Sequence, residues 1–229
     1  MSSIVAFGAG GDEPYALLLG GGGGGGGGRL ALRKVGDVVA SIQVDVDGWR
    51  APANAADLTV LAGLEGPLLD VGCGPGRMVR AAEERGLAAL GIDISTEAAV
   101  RAAAEGTPVL RRSVFDRLPL EGSWSTVLLM DGNIGIGGDP EALLLRCAHL
   151  IADDGVVVVE VDADPELHDC ATYTAVGEDG LESAAFPWAR VGSAAAARVA
   201  LRCGLMVCDA WAIGDRRFVL LRRSPTVTT

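Results

Sequence analysis

From Pro67 onward, short apolar runs alternate with helix-length stretches, and each change of rhythm falls at a glycine, a capping residue or an acid. Leu68–Asp70, Leu87–Asp93, Val109–Arg112, Thr126–Met130 and Val156–Val161 have strand length and predict strands. Val156–Val159, stopped by Glu160, has the unbroken apolar character of a buried parallel strand. Between the runs, Arg77–Arg85 predicts a helix stopped by Gly86, and Ser95 caps a second that ends near Gly106. Asp139-Pro140 makes a cap and first-turn pair for a helix to Ile151, and Ser193 caps an alanine-rich helix to Cys203. Such alternation predicts a doubly wound α/β fold, a parallel sheet with helices on both faces. At the end, Leu205–Trp211 and Arg217–Leu221 are separated only by a tight turn at Gly214-Asp215, so these two strands must run antiparallel.

Upstream, Leu30–Val35 and Val38–Val46 flank Gly36-Asp37 and predict a β-hairpin, expected as an appendage to the main sheet. Pro52–Leu61 reads as a short helix leading into the first core strand. Gly20–Gly28 is uninterrupted glycine; no strand precedes it and no helix follows, so it reads as a linker and not a phosphate cradle. The organisation is therefore an N-terminal extension over 1–48, one domain over 49–223 and a tail over 224–229.

Composition narrows the function. Hydrophobic residues make up 49% and charged residues 21%, enough for a large core. No run reaches the ~18 apolar residues that read as a membrane helix. No basic start followed by an apolar block marks secretion, so a cytoplasmic location is expected. The net charge of −11, with no basic run longer than pairs such as Arg111-Arg112 and Arg216-Arg217, argues against a nucleic-acid partner. The 5 cysteines form no C-x-x-C pair and are odd in number, so neither a zinc site nor a disulfide framework is expected.

The chemistry concentrates in Asp70-Val71-Gly72-Cys73-Gly74-Pro75-Gly76, a strand end running through a glycine turn into a helix. Glycines let a ligand lie against the main chain, and Asp93, ending the next strand, stands where an acid grips ribose hydroxyls. A dinucleotide suits this turn poorly. Asp70 would repel a pyrophosphate, Pro75 removes an N–H donor, and the spacing is G-x-G-x-G instead of G-x-G-x-x-G. A nucleoside joined to an amino acid, bearing positive charge and no phosphate, suits it better.

Leu69–Arg77 followed by Gly91-Ile92-Asp93-Ile94-Ser95 resembles motifs I and II of the class I S-adenosylmethionine-dependent methyltransferases, in their small-molecule, type 11/12-like branch. The similarity runs through most of residues 49–222. It implies a Rossmann-like seven-stranded sheet, mostly parallel with an antiparallel last strand, and S-adenosylmethionine as cofactor. By position, Asp70, Gly72, Cys73, Gly74 and Gly76 would line the methionine end, Asp93 would bind the ribose, and Ile94 would pack on the adenine. Ser113 or Val114 would sit at the adenine edge. Asp131 or Gly132 would close over the methionine and methyl. Many members carry an acid near Ser113-Val114 to meet the adenine amine; here the nearest, Asp116, comes two or three residues late.

Three further segments are candidates for the acceptor. Asn133, in the glycine-rich loop Asp131–Gly135, would hydrogen-bond an incoming substrate. Trp188 and Arg190, after the fifth strand, would hold an apolar or anionic one. His168, read as lying in a loop, and Asp162, at the strand end, compete as general base, and His149 reads as helix surface. No residue is assigned as catalytic and no metal is expected. The expected activity is methyl transfer to a small molecule. The alternatives are a nicotinamide-linked oxidoreductase and a non-catalytic cofactor-binding scaffold. The acceptor and the oligomeric state are not legible in the sequence.

Overall fold

The computed structural model describes residues 30–37 and 41–225. The polyglycine run, residues 38–40 of the expected hairpin and residues 226–229 of the tail lie outside them. Among the described residues, eleven strands form two sheets. The larger holds β3 (Leu68–Val71), β4 (Ala89–Asp93), β5 (Val109–Arg111), β6 (Trp124–Leu129), β7 (Ile151–Val161), β10 (Leu205–Ile213) and β11 (Arg216–Arg223). Their order is β10-β11-β7-β6-β3-β4-β5, and β11 alone runs against the rest. This is the expected seven-stranded sheet, reversed only in its last strand in chain order.

The period-2 alternation of a strand decides which helices cover which face. Leu69, Val71, Val127, Leu129, Val157 and Val159 point to the face packed by α5 (Pro140–Leu150) and α6 (Ser193–Arg202). Leu68, Leu128, Met130 and Val158 point to the other, packed by α2 (Ala55–Val60) and α3 (Arg77–Glu83). Both faces are thus dry, which is why the strands read as unbroken apolar runs. The caps follow the sequence with one exception. Ser95 accepts from Ala98 N at the start of α4 (Thr96–Ala104), and Asp139 accepts from Glu141 N and Ala142 N. Ser193, however, is the first residue inside α6; the cap position belongs to Gly192, where a Cβ would collide with the Asp164 carbonyl oxygen.

The second sheet departs from expectation. β1 (Leu30–Lys34) and β2 (Ser41–Val44) form the hairpin, but it does not extend the main sheet. It pairs through β1 with β8 (His168–Gly177), which pairs in turn with β9 (Phe186–Val191), all antiparallel. His168, read from sequence as loop, is therefore a strand residue, and Phe186–Arg190, for which no strand was expected, lies in β9. The hairpin ends in α1 (Val46–Arg50), capped by Asp45. Leu30, Leu32, Val46, Tyr173, Ala175 and Phe186 form this sheet's own core and rest on Ala98 of α4.

Candidate functional site

The carboxyl ends of β3, β4, β6 and β7 and the inner side of the second sheet enclose a cavity of about 900 Å³. That is the size class of a drug-sized ligand site, at its upper end. Its floor is the β3–α3 turn. Gly72, Gly74 and Gly76 have φ of +69°, +53° and +87°, values a side chain disfavours, so the glycines are set by backbone shape. Gly72 N and Cys73 N both donate to the Ile92 carbonyl, tying the turn to the end of β4.

Asp93 fixes the turn from the other side. One carboxylate oxygen accepts from Gly74 N at 2.8 Å and the other from Ser95 N at 2.8 Å. Burial raises its pKa, and these backbone donors work against that rise. Asp93 lines the cavity, with Ile94, Ser113 and Val114 beside it. Asp116 does not line it: its carboxylate turns back to Ser113 N at 3.3 Å. Cys73 lines the turn, and burial followed by the Asp93 and Asp70 charges pushes its thiol well up, so it is a neutral wall and not a nucleophile.

Two residues expected on the wall stand behind it. A Cβ on Gly76 would meet the Thr107 methyl at 2.7 Å, so this glycine serves the packing of α3 on the Thr107–Val109 segment. Asp70 is only 2% exposed and points to the α2–α3 face of the sheet. Burial pushes its pKa up to about 7, against the pull of Arg77 and with the repulsion of Asp131, Asp93 and Asp57. A carboxyl group whose pKa is raised on folding favours the fold while protonated. Its contribution is full below about pH 4 and is lost as pH rises through about 7. Asp70→Asn is therefore expected to remove this loss, worth at most about 4 kcal/mol at 1.36 kcal/mol per pKa unit. Urea unfolding of the ligand-free protein at pH 4.5 and pH 8 checks it: wild type loses more stability between the two than the variant.

At the end of β6, Asp131 has φ +54° and Gly132 φ +80°, opening a single 3-10 turn at Asn133–Gly135. Both residues line the cavity. Asn133 lines it too, but its amide nitrogen donates to the carbonyls of Val71 (2.8 Å) and Gly72 (3.0 Å). Asn133 is thus a brace for the glycine turn, and its NH₂ is not free for a substrate. A Cβ on Gly72 would lie 2.6 Å from that nitrogen.

Nothing in local sequence order hints at what holds Asp131. Arg77 clamps its carboxylate with two bonds, 2.7 and 2.9 Å. The same guanidinium binds Asp57, which has no exposed side-chain surface, at 3.0 and 3.1 Å. Arg216 of β11 reaches Asp57 at 2.7 Å and holds Glu160 with two 2.7 Å bonds. Glu160 accepts from Asp131 N at 2.8 Å, which closes a ring. Burial opposes charge on Asp57, yet Arg77 and then Arg216 outweigh it and hold its carboxyl at about 2.

The second sheet supplies the far wall. Trp188 and Pro187 line the cavity, as do Leu32, Ile42 and Trp49. Arg190 lines it as well, but its guanidinium is bound to Asp162 at 2.6 and 3.1 Å, so neither is the free cation or free base the sequence suggested. His168 is exposed on β8 and outside the cavity, and His149 is exposed on α5. Neither histidine is a base for this site.

Against known families, residues 46–189 match the profile described as a methyltransferase domain. No curated protein matches the sequence. Among solved structures, the chain resembles a SAM-dependent methyltransferase from Bacteroides fragilis in complex with S-adenosyl-L-homocysteine. The TM-score is 0.74 at 18% identity, over 93% of this chain and 93% of that one. It also resembles the 1,6-didemethyltoxoflavin-N1-methyltransferase of Burkholderia thailandensis, with bound 1,6-didemethyltoxoflavin and S-adenosylhomocysteine (TM-score 0.59, 17% identity, 78% of this chain and 82% of that one). A third is the CcbJ methyltransferase of Streptomyces caelestis (TM-score 0.57, 17% identity, 78% and 93%). At these identities the structures show a shared fold.

Proposed function

The chain belongs to the methyltransferase-domain family, and we propose that it transfers the methyl group of S-adenosylmethionine to a small-molecule acceptor held between its two sheets. One observation carries this reading: the glycine turn lies between two buried carboxylates, Asp70 behind it and Asp93 beside it, and Arg77, the cation nearest in sequence, is already committed to Asp57 and Asp131. A pyrophosphate would meet repulsion there. A ligand with an ammonium and a sulfonium would meet attraction. The structural relatives that carry S-adenosylhomocysteine in this fold support the same ligand.

Bound there, S-adenosylmethionine supplies a methyl group on a positively charged sulfur. The chain's own residues would do the rest by placement. Asp93 accepts from both ribose hydroxyls on the lone pairs its backbone bonds leave. Ile94, Ser113 and Val114 bound the adenine. Gly72, Cys73, Gly74, Asp131 and Gly132 enclose the amino-acid arm. The wall of Leu32, Ile42, Trp49 and Trp188 covers the cavity, excludes water and gives an acceptor with an apolar or aromatic body a dry face. Arg77 and Arg190, tied to carboxylates, offer an anionic acceptor little.

Methyl transfer leaves S-adenosylhomocysteine behind, so its release is the direct readout. Incubating the protein with S-adenosylmethionine and a panel of apolar small-molecule amines, phenols and thiols is expected to yield acceptor-dependent S-adenosylhomocysteine. Tight binding of the cofactor with no release over a broad panel would favour a non-catalytic scaffold.

A further inference from the structure

We propose that Asp57 and Arg216, neither of which lines the cavity, are positioning residues that hold Asp131 and its loop against the amino-acid arm of the cofactor. This deepens the methyltransferase reading and rests on it. The starting point is the backbone of Asp131. A residue with a side chain at φ +54° is strained, and keeps that shape only where its surroundings impose it. Two contacts impose it here. Its N–H is held by Glu160 and its carboxylate by Arg77. Each of those partners is itself aimed by a residue farther from the cavity. Asp57 accepts from Nε and Nη2 of Arg77, which leaves Nη1 and the second hydrogen of Nη2 for Asp131. Arg216 fastens Glu160 with two bonds and Asp57 with one, and its Nη2 stands 3.5 Å from Asp131.

The ring therefore joins α2, the first residue of α3, the loop after β6, the end of β7 and the start of β11. Arg77 directly follows the glycine turn and Asp131 opens the facing loop, so one guanidinium fixes the distance between the two sides of the seat. Arg216 also explains what the reversed last strand does for the site. β11 enters the sheet beside β7, in register Arg217 to Val161, which carries the adjacent Arg216 to Glu160. Asp57 is capped into place: its carboxylate accepts from Asn54 N in a reciprocal capping box, so α2 presents it in one orientation.

The test is a calorimetric titration of the full chain with S-adenosylhomocysteine and with adenosine, which shares the nucleoside but lacks the amino-acid arm. In Arg216→Met, which keeps an apolar stem and loses the fork, S-adenosylhomocysteine affinity is expected to fall about 10-fold or more while adenosine affinity stays within about twofold. Arg216→Lys keeps the charge but cannot span both carboxylates, and is expected between wild type and Arg216→Met on the same ratio. That variant decides the matter if Arg216→Met does not fold. An unchanged ratio of the two affinities in the folded variants, even with a lowered melting temperature, makes the ring merely structural and overturns the proposal. Failure of the wild-type protein to bind S-adenosylhomocysteine at all would instead remove the cofactor reading beneath it.

Discussion

Replacing Asp57 with alanine is expected to cost about 3–5 kcal/mol of folding stability, the range for removing one partner of a buried ion pair. The reason is the state of what remains. Arg77 is 7% exposed and Arg216 22% exposed, and both lose a carboxylate that three guanidinium nitrogens now share. Neither arginine can discharge itself: burial works against its charge, but the neighbouring acids outweigh burial and hold both pKa values above normal. The variant leaves two desolvated cations facing Asp131 and Glu160 alone. Because Asp57 is held at about 2, its contribution is complete above about pH 4 and is lost as pH falls through about 2. Urea unfolding of wild type and Asp57→Ala at neutral pH gives the difference; a loss under about 1 kcal/mol would mean that the ring is solvated and contributes as a surface pair does.

Asp93→Ala is expected to abolish most affinity for S-adenosylhomocysteine. A ribose diol on a carboxylate makes two charge-assisted hydrogen bonds of about 1.5–3 kcal/mol each. Their loss corresponds to roughly 10²–10⁴ in Kd. The structure adds a second cost: Asp93 also accepts from Gly74 N and Ser95 N, so alanine releases the turn and the start of α4 together. Calorimetric titration of a folded variant checks this, and affinity within a factor of about three of wild type would remove Asp93 as the ribose ligand.

These two acids were not equally legible. Asp93 ends an apolar strand, one helix after a glycine turn, and local order alone placed it. The main sheet was readable for the same reason, since its strands are apolar on both faces and punctuated by glycines and caps. Asp57 was invisible: it sits in a short helix, and its partners lie 20 and 159 residues away. Beyond its hairpin, the second sheet was missed on similar grounds. β8 is made largely of small and polar residues, β9 contains Pro187, and the hairpin joins β8 across more than a hundred residues, as the bond of Lys34 to Asp169 shows. Pairing at that range leaves no periodic mark on either segment. Sequence order also cannot show which site residues carry a structural duty. Asn133 and Arg190 line the cavity but also brace the turn and bind Asp162, and Gly76 packs against Thr107, because a residue near a cavity is first a partner for its protein neighbours.

Parallel titration of the unmodified protein with S-adenosylhomocysteine and with NADH interrogates the seat itself. Saturable one-to-one binding of S-adenosylhomocysteine, with no heat from NADH, is the expected result. Binding of NADH in preference would mean that the turn accepts a pyrophosphate despite Asp70, and would contradict the account at its foundation.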